Sequence, residues 1–384
     1  MGQEPSESGP RPALPRSVII LLALAGAAVV AFGLAAVRGI VTPMFFAFVL
    51  TLCVHPLRRW MQGRGVPRGI ATGTTIAAVF ALLTGFTAVL VASLAQFSAL
   101  LPQFAPQMEQ LGDSIAQMLQ SIGFGPEQTQ TVLEGLTPGR IIGFLGGLLG
   151  NIASLAGSLV IILTLLILMA VDGSSIPALL THLQFHRPAL VTAFNGFAVG
   201  VRRYMIATTV LGVAQGIFNW LVLVVLQVPG ALLWGLLSFI CSFIPNIGYF
   251  IAIIPPLFFG FLTGGWPTVL AVIVIYGGIN SIVQSIIQPR YVGNAVALSE
   301  TLTFISVLFW AVVLGPVGAI LAVPLTLLVR TILLDSDPSV AWWRPLTGDK
   351  KDLEVLLKQE DDAIRARRAR RGPDSPDDGS TPKA

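Results

Sequence analysis

Long uncharged stretches alternate with short polar or basic clusters along most of this chain. Residues 17–37 (SVIILLALAGAAVVAFGLAAV) form one apolar run, long enough as a helix to cross a hydrocarbon core of about 30 Å. Arg11 and Arg16 precede it, as in a signal peptide, but the run exceeds such a segment's apolar core and another run follows at once. It therefore reads as a retained span. A second run covers 39–57 and ends in HPLRRWMQGRGVPR, a third covers 69–95, and a fourth lies within 141–171. Between the third and fourth, residues 96–140 carry Glu109, Asp113, Glu127 and Glu134 against Arg140. Their spacing predicts short amphipathic helices broken around 123–126. Residues 172–203 are polar again, and PALVTAFNGFAVGVRRY predicts an amphipathic helix lying along an interface.

From Tyr204 through Pro289 there is no Asp, Glu, Lys or Arg. Residues 204–226 predict a span closed by QVPG, and 266–287 predict another, with Trp266 at an interface. Between them, 231–262 reads ALLWGLLSFICSF, IPNIG, YFIAIIPPLFFGFL. As one straight helix it would be about 48 Å long at 1.5 Å per residue, too long for one crossing and too short for two. Two half-length helices meeting at 245–248 (Pro245, Asn246, Ile247, Gly248) fit better. Residues 301–334 repeat the plan: TLTFISVLFWAVVL, the break GPVG (Gly315, Pro316, Val317, Gly318), then AILAVPLTLLVRTILL with Pro324 after the break. Either both segments are hairpins opening to opposite faces, as in an inverted repeat, or they are proline-kinked ordinary spans.

Polar side chains gather near the first break. Asn280, Gln284 and Gln288 recur every four residues and share a helix face. Such a row is either interhelical glue or the lining of a polar path, since unwound backbone at membrane depth needs protein or water around it. Pro289, Arg290 and Glu300 belong to the loop QPRYVGNAVALSE that follows. Arg330 near the end of the last segment reads as a snorkelling side chain. The pairs Gly143/Gly147 and Gly146/Gly150 have the small-xxx-small spacing of close helix packing.

Composition agrees: 54% of residues are hydrophobic and 11% charged, against about 25% charged in soluble domains. The net charge of +4 reflects loops and tail and does not point to nucleic acid. Arg58, Arg59, Arg64 and Arg68 place the end of the second run in the cytoplasm, and both termini with it. Cys53 and Cys241 sit in apolar runs, and His55, His182 and His186 show no metal or nucleophile spacing. No metal, cofactor or enzymatic activity is expected. The prediction is an all-α polytopic transmembrane protein of about eight membrane segments. Residues 1–16 form a disordered cytoplasmic N-terminus, 17–334 a permease domain with an extracytoplasmic insert at 97–140, and 335–384 a charged cytoplasmic tail.

Three stretches, VRRYMIATTVLGVAQGIFN, FIPNIGYFIAIIPP and IIQPRYVGNAVALSETLTFISVLFWAVVLGPVGAILAVPL, resemble the autoinducer-2 exporter family of bacterial membrane proteins, the PerM-like permeases. Glu300 departs from the family pattern, which has proline there. The resemblance implies a permease in the bacterial cytoplasmic membrane, working as a homo-oligomer. Its cargo would be a small polar organic molecule such as autoinducer-2, exported from the cell. Sodium or lithium/proton antiport with Glu300 in ion coupling, and a non-transporting membrane scaffold recruiting partners through the tail, are the alternatives. On the first reading Pro245, Asn246, Gly248, Gly315, Pro316, Gly318 and Pro324 form gates or site walls. Asn280, Gln284, Gln288, Pro289 and Arg290 line the path.

Overall fold

The computed structural model describes residues 15–123, 125, 138–173, 176–287, 298–337, 347–348, 358 and 361–362. Among these, helices account for nearly all the regular structure and no strand occurs. Helix α1 (Arg16–Ala36) runs into α2 (Arg38–Gly63) with only Val37 between. Helix α3 (Arg68–Leu100) continues through a short 3₁₀ turn (Leu101–Phe104) into amphipathic α4 (Ala105–Ser121), which stops where Gly123 takes a φ of 93°. After α5 (Pro138–Asp172) and α6 (Ile176–His186) comes α7 (Pro188–Val225), the spine of the molecule. The interfacial helix expected near 188–204 does not exist separately, because it is the first half of α7. No helix breaker interrupts it, and its apolar face is taken by protein, with Phe197 and Val201 buried.

Apolar side chains cover much of the outside: Phe32, Val225 and Val312 are each more than three-quarters exposed. In water such a surface would drive association; in a bilayer it is the solvated face. Among the described residues, five helical segments are long and apolar enough to cross a membrane: Ser17–Ala36, Arg38–Gly63, Arg68–Ser121, Pro188–Val225 and Gly248–Gln284.

Both broken segments fold back on themselves. Helix α8 (Ala231–Cys241) lies antiparallel to α7 at close range. A Cβ on Gly216 would stand 2.8 Å from the Gly235 carbonyl oxygen, and one on Gly235 2.7 Å from Trp220. Small residues on both helices make that approach possible. The expected packing glycines of α5 behave differently: Gly143, Gly146 and Gly147 meet nothing within 4 Å among the described residues. After a turn at 242–247 the chain enters α9 (Gly248–Ser281), which is two helices divided at Gly265 (φ 63°, ψ −155°). Pro255 and Pro256 lie inside the first of these and do not end it. The first, 248–264, returns alongside α8, so that Gly260 reaches Val228 beside the end of α7. The second, 266–281, doubles back again and brings Gly277 to the Tyr249 hydroxyl. It then passes into a π-turn at Ile282–Ile287.

The second segment is α10 (Glu300–Leu314), α11 (Pro316–Ile320) and α12 (Ala322–Arg330), followed by a π-turn at Thr331–Asp335. Gly315 (φ 78°, ψ −163°) makes the first corner and Pro316 opens α11, where its missing N–H costs nothing. A second corner at Leu321, not foreseen, lets α12 run back along α10. The Trp310 indole donates to the Thr326 hydroxyl at 3.0 Å, and Gly318 lies on the Trp310 carbonyl with no room for a Cβ.

The two hairpins occupy different cores, near opposite ends of α7. One core joins Phe45 and Val49 of α2, Phe197–Met205 of α7 and the second hairpin. The other joins Leu223 at the far end of α7 to Leu233, Trp234, Ile253 and Phe259 of the first hairpin, with Phe97 and Met108. Phe243, at the tip of the first hairpin, belongs to the second hairpin's core. The tip therefore reaches the middle of the molecule.

Candidate functional site

The tip of the first hairpin is shaped by its own sequence. Pro245 has no N–H to offer a helix, and Asn246 takes a left-handed φ of 64°, which asparagine tolerates better than most residues. The turn meets its own backbone needs: Ile244 N–H donates to the Cys241 carbonyl at 2.9 Å and Gly248 N–H to the Ile244 carbonyl at 3.0 Å. Gly248 sits directly on the Cys241 carbonyl, where a Cβ could not fit. The expectation that unwound backbone lines a cavity is thus met differently. The turn is self-satisfied, and side chains beside it enclose the cavity.

That cavity has a volume of about 30 Å³, room for about one water molecule. Its polar lining comes from three elements: Thr208 and Gln215 of α7, Ser238 and Ser242 around the end of α8, and Tyr249, Asn280 and Gln284 of the α9 segment. The Gln215 amide donates to the Asn280 carbonyl oxygen at 3.4 Å, tying α7 to α9. Ser238 and Ser242 spend their protons on the carbonyls of Trp234 and Phe239, at 2.9 and 2.7 Å. Their oxygens are left as acceptors. Among the described residues every polar group of the lining is a neutral amide or hydroxyl. The described lining can hydrogen-bond a neutral polar molecule.

The residues expected at the site divide. Gly248, Asn280 and Gln284 line the cavity. Pro245 and Asn246 lie at the tip beside it, Asn246 facing out. Gly315, Pro316, Gly318 and Pro324 are absent from the lining: the second break packs into the apolar core around Leu314, Ala319 and Val323. Gln288, Pro289 and Arg290 lie outside the described residues. Glu300 is exposed in the first turn of α10, behind Ser299, whose hydroxyl accepts from Leu302 N–H at 3.2 Å. An acid there favours the positive end of the helix, which accounts for it structurally. Arg330 does not snorkel; it is buried and its Nε stands 3.6 Å from Asp335. Sequence reading missed Thr208 and Gln215, although Thr208, Gly212 and Gln215 share the helical spacing that singled out Asn280 and Gln284. Among the described residues no group of His, Cys, Asp and Glu could hold a metal.

Apolar helices around a broken hairpin with neutral hydrogen-bonding groups at its tip suit a membrane transporter of small molecules. Residues 18–336 match the family described as AI-2E family transporter, and the chain belongs to that family. Among its relatives is the putative transport protein YhhT of Escherichia coli K12, 28% identical over 88% of this chain and 93% of its own length. The AI-2 transport protein TqsA of the same strain is 26% identical over 82% of this chain and 91% of its own. A putative transport protein of Haemophilus influenzae is 27% identical over 87% and 97%.

Proposed function

We propose that this transporter exports a small, uncharged, polar organic molecule of the autoinducer-2 kind across a bacterial cytoplasmic membrane, with the cavity at the first hairpin's tip as its binding point. The observation carrying this is the neutral lining of Thr208, Gln215, Asn280 and Gln284, together with the transporter family and a relative that carries AI-2 in its name. A cavity of about 30 Å³ is too small for such a cargo, so the hairpin tip must move to admit it. Both broken segments are read as re-entrant, entering from opposite faces to give about eight membrane segments. Their placement in different cores, with the tip of one touching the core of the other, supports this. The arginine cluster around the end of α2 is read as putting both termini in the cytoplasm and the insert after α3 outside, and the chain is taken to work as a homo-oligomer.

Efflux from loaded proteoliposomes tests the reading. A panel of small neutral hydroxylated metabolites should include one that leaves faster than from empty vesicles. Leucine at Gln215 and Asn280 together should abolish the difference. If no member leaks faster, or the double variant exports normally, the proposal fails. Sodium/proton antiport finds no support in a Glu300 that is exposed in the first turn of α10; sodium-dependent pH changes lost in Glu300→Gln would reverse that judgement.

A further inference from the structure

We infer that Asn219 and Tyr276, level with each other one helical turn beyond the cavity, form a second polar station on the transport route that takes a hydroxyl group of the cargo. The inference rests on the proposed function. The Gln215–Asn280 bond fixes the register between α7 and the second helix of α9. The two run antiparallel, because Gly260 joins Val228 beyond the end of α7 to Val272. Four residues forward on α7 and four back on α9 therefore bring Asn219 and Tyr276 to one level, on the faces that carry Gln215 and Asn280.

Both side chains are 1% exposed. Among the described residues, the Asn219 carbonyl oxygen and the Tyr276 hydroxyl nevertheless have no hydrogen-bond partner. Ser238 lies beside the Tyr276 hydroxyl but outside bonding geometry, and its proton is given to Trp234. Buried polar groups left unpaired are rare in native structures and each asks for an explanation. Toward the other end of the cavity the buried hydroxyls of Tyr204 and Thr208 lie beside each other, outside bonding geometry and with no other partner among the described residues. Among the described residues, Tyr204, Thr208, Asn219 and Tyr276 thus follow one line along α7 and α9, through the cavity and past it. Scattered packing defects would not align so.

Beyond the station the line is shut. Phe97 meets Trp234 and Phe259 edge-on at 4.8 and 4.7 Å, and Trp234 stacks on Phe259 at 5.8 Å. The Trp234 indole N–H is held by the Pro229 carbonyl at 2.8 Å, so it fills space without offering a donor to the route. Asn219 presents an acceptor, and Tyr276 can donate or accept. A cargo hydroxyl can donate to the first and either donate to or accept from the second. Cargo would pass from the tip cavity to this station before the aromatic plug releases it toward α4.

The test uses the full chain in proteoliposomes with Cys53→Ala and Cys241→Ala, single cysteines added, and the neutral thiol reagent 2-hydroxyethyl methanethiosulfonate. Val201→Cys, in the apolar core, gives the background of a position reached only through local opening; Gln215→Cys and Asn219→Cys should each react roughly tenfold faster or more. Phe97→Ala should speed labelling at Asn219→Cys further. Reaction at Gln215→Cys with background rates at Asn219→Cys overturns the station and leaves the cavity standing; background rates at both overturn the cavity as well. If Asn219→Cys does not yield folded protein, Tyr276→Cys carries the same comparison from the facing helix.

Discussion

The two hairpins share a sequence plan and differ in what their tips do. In each, a short apolar helix breaks at a corner ending in glycine, a proline follows, and the chain returns along itself. At the first tip, Ser238, Ser242 and Tyr249 face Thr208 and Gln215 and leave a polar cavity. At the second, Leu314, Ala319, Leu321 and Val323 close the tip into an apolar core, with the Trp310–Thr326 bond bracing its two arms. The same backbone device thus leaves a polar cavity in one place and a wedge in the other. The side chains on the facing stretch of α7 decide which: amides and hydroxyls toward the first tip, Phe197 and Val201 in the core of the second.

Several substitutions would break or sharpen this contrast. The largest effects should come from glycines that both hairpins need sterically. Gly216→Leu and Gly318→Leu have backbone in their way, and each should abolish a monodisperse peak in detergent gel filtration; a normal peak from either would refute the packing described. Next, Gln215→Leu with Asn280→Leu should lower export by tenfold or more, about the effect of one lost hydrogen bond of 1.4 kcal/mol, with little change in thermal midpoint. The matching change in the second hairpin, Thr326→Val, should do the reverse, costing about 1 kcal/mol of stability and leaving export near wild type. If Thr326→Val silences export while the amide variant does not, the roles of the hairpins are exchanged. Asp335→Asn leaves buried Arg330 with a weaker partner and should cost about 1–2 kcal/mol, at the low end for a buried pair because Asp335 is part-exposed, read as a lowered midpoint. The smallest effect belongs to Glu300→Gln, a loss of about 0.5 kcal/mol of helix-end stabilisation and less than a twofold change in transport.

The sequence alone determined that the chain lives among lipids and that two of its segments cannot be straight helices. The first follows from uncharged runs whose exposed surface water could not tolerate, and the second from simple length against a fixed bilayer thickness. It also located the corners at 245–248 and at Gly315, because proline without an N–H, asparagine in a left-handed turn and glycine under a carbonyl are local requirements of the backbone. Asn280 and Gln284 were legible for the same reason, since helical spacing is read directly from residue numbers. Tertiary structure alone decided that these two meet Thr208 and Gln215 rather than the second break. That pairing depends on the register of α7 against α8 and α9, set by Gly216, Gly235 and an amide bond spanning 65 positions. It decided, too, that Gly315 and Gly318 close a core and that Gly143, Gly146 and Gly147 of α5 meet no neighbour among the described residues. A glycine states that close approach is possible, while only the folded chain states whether anything approaches.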